Sequence, residues 1–116
     1  MAEPKLKPEV KEKWLAALRS GNYKQTQNRL KRNDTFCCLG VLCDISGQGE
    51  WVFNNPGDQP LYMFSVLDSS VTGLPVGIIK WAFDSYEYNS EVDKVIIMND
   101  RGVSFKKIAD HIEANF

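Results

Sequence analysis

Three cysteines stand within seven residues, in the run Phe36-Cys37-Cys38-Leu39-Gly40-Val41-Leu42-Cys43-Asp44, and the chain has no others. Two chemistries suit thiols at this density. A thiol at a helix N-terminus becomes a nucleophile, because the helix dipole favours its thiolate. Cys37 stands at such an expected helix start. The nucleophile also needs a base, and His111 is the single histidine, so Cys37 with His111 is the candidate catalytic pair of a hydrolase or transferase. The second chemistry is metal binding. A tetrahedral ion takes spaced ligands, typically a Cys-x2-Cys pair. Two adjacent cysteines, a third five residues on and one remote histidine do not supply that, so neither metal nor cofactor is expected. The plain alternative is that free cysteines are small buried apolar residues, and their apolar neighbours favour it over catalysis.

The segment before the cysteines carries different chemistry. Residues 19–33 contain Arg19, Lys24, Arg29, Lys31 and Arg32 and no acid. Residues 1–36 hold nine basic and four acidic groups, a net +5; with the whole chain at −1, the remainder carries −6. A basic block can hold a phosphate or an acidic partner surface, and its plain alternative is a solvated rim. Arginine forks and amides suit anions. Arg19, Tyr23, Lys24, Gln25, Arg29 and Arg32 are therefore the candidate ligand-binding residues, with Trp51 and Tyr62 as stacking surfaces. No Walker, dinucleotide, G-x-S-x-G or H-E-x-x-H pattern accompanies them.

These side chains depend on the elements that carry them. Pro8 suits a first helical turn; Val10, Trp14, Ala17 and Leu18 form one stripe, and Gly21 stops a helix over about 8–20. Residues 23–30 read as a polar edge strand or an ordered loop. Asn33-Asp34 signals a turn, with Asp34 or Thr35 as the cap of the next helix. Residues 36–46 are apolar on all sides, the pattern of a buried helix, with Gly47 as its stop. Gly40 weakens that helix and implies close approach of another backbone or a ligand. A loop around Trp51–Phe53, a strand over Leu61–Leu67 and a turn over Ser69–Gly73 follow. Leu74-Pro75 opens a short helix, and Asp84–Asp93 reads as an acidic loop. Val95–Met98 fits either a buried strand or the end of a helix. Ser104 caps a last helix with the stripe Phe105, Ile108, Ala109 and Ile112. That helix resembles the first half of a helix-turn-helix. The recognition helix is missing and the C-terminal two-thirds is acidic, so specific DNA binding is not expected.

With 116 residues the chain suits one domain with its own core. No apolar run is long enough for a membrane span and the N-terminus lacks a signal-peptide core, so a cytoplasmic protein with reduced thiols is expected.

Three blocks, Trp14-Leu15-Ala16-Ala17-Leu18-Arg19-Ser20-Gly21-x-Tyr23-x-Gln25, Phe36 through Asp44, and Asn99-Asp100-x-Gly102-x-Ser104-Phe105-x-x-Ile108-Ala109-Asp110, resemble a family of small phage and prophage proteins of unknown function. The resemblance implies a viral accessory protein acting in the host cytoplasm, and it implies no activity. The expected fold is α+β: one domain over 1–116, three or four helices on a small, mainly antiparallel sheet, and a buried central helix at about 36–46. The expected function is non-enzymatic binding of a host protein or an anionic small molecule, for instance a signalling nucleotide, to modulate a host process. The alternatives are the Cys37/His111 enzyme and a homo-oligomer module built around Trp81 and Phe83.

Overall fold

Pro8 has no N–H to lose in a first turn, and the computed structural model starts its first helix there, α1 at Pro8–Arg19. The structure describes residues 4–52, 60–65, 68–70, 73–87 and 89–116. Val10, Trp14 and Leu18 of α1 are buried, and Gly21 ends the helix at φ +78°. Two-residue strands follow: β1 (Lys24–Gln25), β2 (Lys31–Arg32) and β3 (Thr35–Phe36). β3 is central, parallel to β1 and antiparallel to β2.

The apolar run forms α2 at Cys38–Ser46, with seven of its nine residues buried and Gly47 at φ +62° as the stop. Its cap is neither Asp34 nor Thr35. Thr35 belongs to β3 and its hydroxyl donates to the Arg32 carbonyl, so Cys37 takes the role: its Sγ accepts the Gly40 N–H at 3.3 Å. A second sheet is antiparallel throughout, in the order β4 (Glu50–Val52), β5 (Leu61–Ser65) and β6 (Asp68–Ser70). Residues 68–70 are therefore strand where a turn was expected from Ser69. Phe53 and Leu67 lie outside the described residues.

Three helices complete the chain: α3 at Val76–Phe83, α4 at Ser90–Asp100 and α5 at Phe105–Asn115. The described residues thus hold five helices, one more than the upper expectation, because Val95–Met98 belongs to α4. That helix starts inside the expected acidic loop. Asn89 caps it by accepting the Glu91 N–H at 2.8 Å, and Glu91 and Asp93 sit in the first turn, where the dipole favours acids. Ser104 caps α5 as expected.

α1 packs on α5 and α2, and α4 packs on α5 and α2. The core they share includes Trp14, Leu30, Leu39, Leu42, Ile78, Val95, Ile108 and Ile112. The Trp14 indole donates to the Cys38 carbonyl at 2.9 Å, fixing α2 on α1. The radius of gyration, 13.3 Å, is that of one compact α+β domain of this length. Among the described residues no helix is long and apolar enough to cross a membrane. Around the expected oligomer surface, Phe83 is buried against Phe116, and Trp81 is half-buried under Lys7.

Candidate functional site

The start of α2 is wedged against the connection between β1 and β2. Gly40 explains how: a Cβ there would overlap the Leu30 carbonyl, so the missing side chain lets the two backbones touch. The Cys37 N–H donates to that same Leu30 carbonyl at 3.0 Å. The rest of the connection is tied down equally closely. The Thr26 N–H reaches the Phe36 carbonyl, and the Asn28 N–H reaches Asp100 Oδ1 at 2.8 Å. Asn28 itself sits at φ +68°, a region asparagine tolerates better than most residues.

Asn99, 1% exposed, is the hub of this joint. Its Oδ1 accepts from Gln25 Nε2 at 2.9 Å and from the Cys38 N–H at 3.1 Å; its Nδ2 donates to the Thr26 carbonyl at 2.7 Å. One side chain thereby links β1, α2 and α4. Gln25 also donates to the Val103 carbonyl at 2.7 Å.

A cleft of about 200 Å³ opens beside the joint. Cys37, Cys38, Ile96 and Asn99 line it, with Asn28, Arg29, Gly73 and Asp100 around them. Arg29 lines it, and Arg29 Nε is buried without a hydrogen-bond partner. The ion pairs formed among the described residues involve neither Arg29 nor Asp100.

The thiols in this cleft are poor nucleophiles. Burial pushes Cys37 up to about 11, although the N–H groups of Gly40 and Leu39 pull the other way. Cys37 is thereby held as the neutral thiol at neutral pH. Burial raises Cys38 and Cys43 as well. His111 is engaged elsewhere: its Nε2 lies 2.8 Å from Glu91 Oε2, joining α5 to α4, and Asn115 reaches its ring from the other side. Glu91 is held below the usual carboxylate range, first by its bond from Lys94 and then by His111. His111 does not line the cleft that holds Cys37. Among the described residues no group of three or more His, Cys, Asp or Glu side chains is placed to share a metal ion.

The candidate binding residues are dispersed. Arg19 clamps α1 to α5 through Asp110 at 2.9 Å and Glu113 at 3.2 Å, and both bonds raise its pKa. Tyr23 and Trp51 meet at Asp44, donating to its two carboxylate oxygens at 2.6 and 3.1 Å. Burial, and then the bond to Asp44, push the Tyr23 phenol up to about 12. Tyr23, Phe36, Trp51 and Tyr62 form an edge-to-face chain, and Lys31 lies 5.1 Å over Phe36 and 5.7 Å over Trp51. Tyr62 is 1% exposed, its hydroxyl bonded to Ser46 and to the Gly49 N–H, so it offers no stacking face. Lys24 and Arg32 are exposed, in register on either side of Thr35. Only Arg29 of the set lines the cleft. Asn99 and Asp100 were missed as site residues because Asn99–Gly102 has the composition of a turn, whereas both residues close helix α4. Their one signal was that they sit in a block that resembles the phage family, as the cysteine run does.

No curated protein and no solved structure matches the chain significantly. The model of one family does match, over residues 6–116, and the chain belongs to that family, described as Domain of unknown function (DUF8296).

Proposed function

We propose that this protein binds an anionic small molecule in the cleft between the β1–β2 connection and the ends of α2 and α4, without turning it over. The supporting observation is Arg29, which lines that cleft and whose Nε is buried without a partner. An unsatisfied buried donor costs about 1–3 kcal/mol, and more when charged. A fold that carries this cost gains nothing from it unless something else supplies the acceptor. Binding is favoured over catalysis because the Cys37 thiol beside Arg29 is held neutral and His111 is paired with Glu91. Pockets for drug-sized ligands run to roughly 300–1,000 Å³. A cleft of about 200 Å³ therefore takes a small molecule or one end of a larger one, such as the phosphate of a nucleotide. The resemblance to phage proteins supports an accessory role in which capture withdraws the molecule from a host process.

The test is a melting-temperature screen against inorganic phosphate, small carboxylates, amino acids and nucleotides, run on the wild type and on Arg29→Met. A charge-assisted bond contributes about 1.5–3 kcal/mol, so Arg29→Met should weaken binding roughly 10- to 100-fold. A screen with no shift, or a shift equal in both proteins, would sink the proposal.

A further inference from the structure

We infer that the molecule held in this cleft is a small zwitterion, with a carboxylate-like group for Arg29 and an ammonium group for Asp100. The inference rests on the binding reading above and deepens it. Two opposite charges line one small cleft, and neither is neutralised by the fold. They are neighbours: Asn28, directly before Arg29, donates its N–H to Asp100 Oδ1 at 2.8 Å. Even so, their side chains do not pair with each other. Asp100 Oδ2 accepts no bond from the described residues, so it is open to a donor from solvent or ligand.

This arrangement selects by charge. A bare anion attracted to Arg29 also meets Asp100, which repels it. A bare cation drawn to Asp100 meets Arg29. A ligand with both charges satisfies both, and like-charge contact is what rejects the others. The same cleft is also lined by Ile96 and by the thiols of Cys37 and Cys38, which are apolar or neutral. It accommodates a short aliphatic body. Asn99 is spent on three internal bonds, so it shapes the cleft and leaves recognition to the charged pair. An amino acid with a small side chain, or an ω-amino acid with a short spacer, has this chemistry and fits the volume.

Calorimetric titration of the full chain would use alanine, valine, β-alanine and 4-aminobutyrate. Each is compared with its des-amino acid (propionate, 3-methylbutanoate or butyrate) and with the matching amine. At least one zwitterion should bind ten times more tightly than both its acid and its amine. Asp100→Asn, which keeps an oxygen for the Asn28 N–H, should remove that preference and leave the acid bound as well or better. If an acid binds as tightly as its zwitterion, and Arg29→Met abolishes both, the zwitterion is wrong and the anion-binding reading survives. If Asp100→Asn leaves the ratio unchanged, the role of Asp100 is wrong. If no anion or zwitterion binds at all, both readings fall. The wild-type comparison is decisive even if the Asp100 variant folds poorly.

Discussion

At the scale of residues, Arg29 and Asn99 make opposite demands on the same few ångströms. Asn99 is buried and makes three bonds, to Gln25, Thr26 and Cys38. Arg29 Nε is buried and makes none. Their substitution costs should separate accordingly. Asn99→Ala strands the Cys38 N–H and the Thr26 carbonyl, removes one of the two acceptors of the Gln25 amide, and should cost about 3 kcal/mol. Asn99→Asp keeps the acceptor, places a carboxylate against the Thr26 carbonyl, and should also destabilise. Arg29→Met should be neutral or slightly stabilising, since it removes an unsatisfied donor and keeps an apolar stem. Urea midpoints of the three variants would check this order. The sequence displayed Arg29 as one of five cations, with nothing to single it out. The partners that occupy two of the others, Asp110 and Glu113 for Arg19 and the rings of Phe36 and Trp51 for Lys31, lie elsewhere in the chain, and Lys24 and Arg32 are exposed.

At the scale of elements, α2 is the part on which the cleft is built. Its length, burial and glycine stop were legible because helix signals are local: an apolar run, a turn before it and Gly47 after it. Its cap was not legible, since Thr35 is drawn into a strand by pairing with β1 and β2. Those two-residue strands have no periodicity of their own to read. Val95–Met98 was ambiguous because four apolar residues fit a strand or a helix turn equally, and the acids after Asn89 decide it. The role of Gly40 was half legible: a close approach was implied, and Leu30 is what approaches. Gly40→Ala sets two effects against each other. Alanine gains up to about 1 kcal/mol of helix propensity. Overlap with the Leu30 backbone should cost about 3 kcal/mol or more, since backbone cannot rotate away as a side chain can. The variant should therefore be less stable in chemical denaturation and weaker in ligand binding, because Leu30 adjoins Arg29. A stable Gly40→Ala with intact binding would contradict this account of the joint.

At the scale of the whole molecule, the thiols set a pH limit. Cys37, Cys38 and Cys43 are raised by burial in the folded state, and unfolded thiols ionise near pH 8.5. Above that pH the unfolded chain gives up protons that the native chain keeps. It binds fewer protons than the native state, so stability falls as pH rises. The stabilisation is complete below about pH 8.5 and is lost progressively towards the folded values, about 11 for Cys37. Tyr23, raised to about 12, adds to the loss above roughly pH 10. Each buried thiol contributes a slope of up to about 1.4 kcal/mol per pH unit, and Tyr23, screened by solvent, contributes less. Under reducing conditions, urea midpoints should drop between pH 8 and 10, and Cys37→Ser, which keeps a cap oxygen, should drop less steeply. A flat profile would show that the thiols are not buried in solution.

The central claim is that Arg29 is kept for a ligand and not for the fold. Its most direct test is the melting temperature of the wild type and of Arg29→Met, each with and without small anions and zwitterions. At about 100 times the dissociation constant a bound ligand stabilises by roughly 2.7 kcal/mol, which for a domain of this size raises the wild-type transition by roughly 10 °C. The account predicts that rise in the wild type and at most about half of it in Arg29→Met, whose binding is roughly 10- to 100-fold weaker and which, without ligand, melts at or above the unliganded wild type. The same rise in both proteins, or an Arg29→Met that melts well below wild type without ligand, would contradict it.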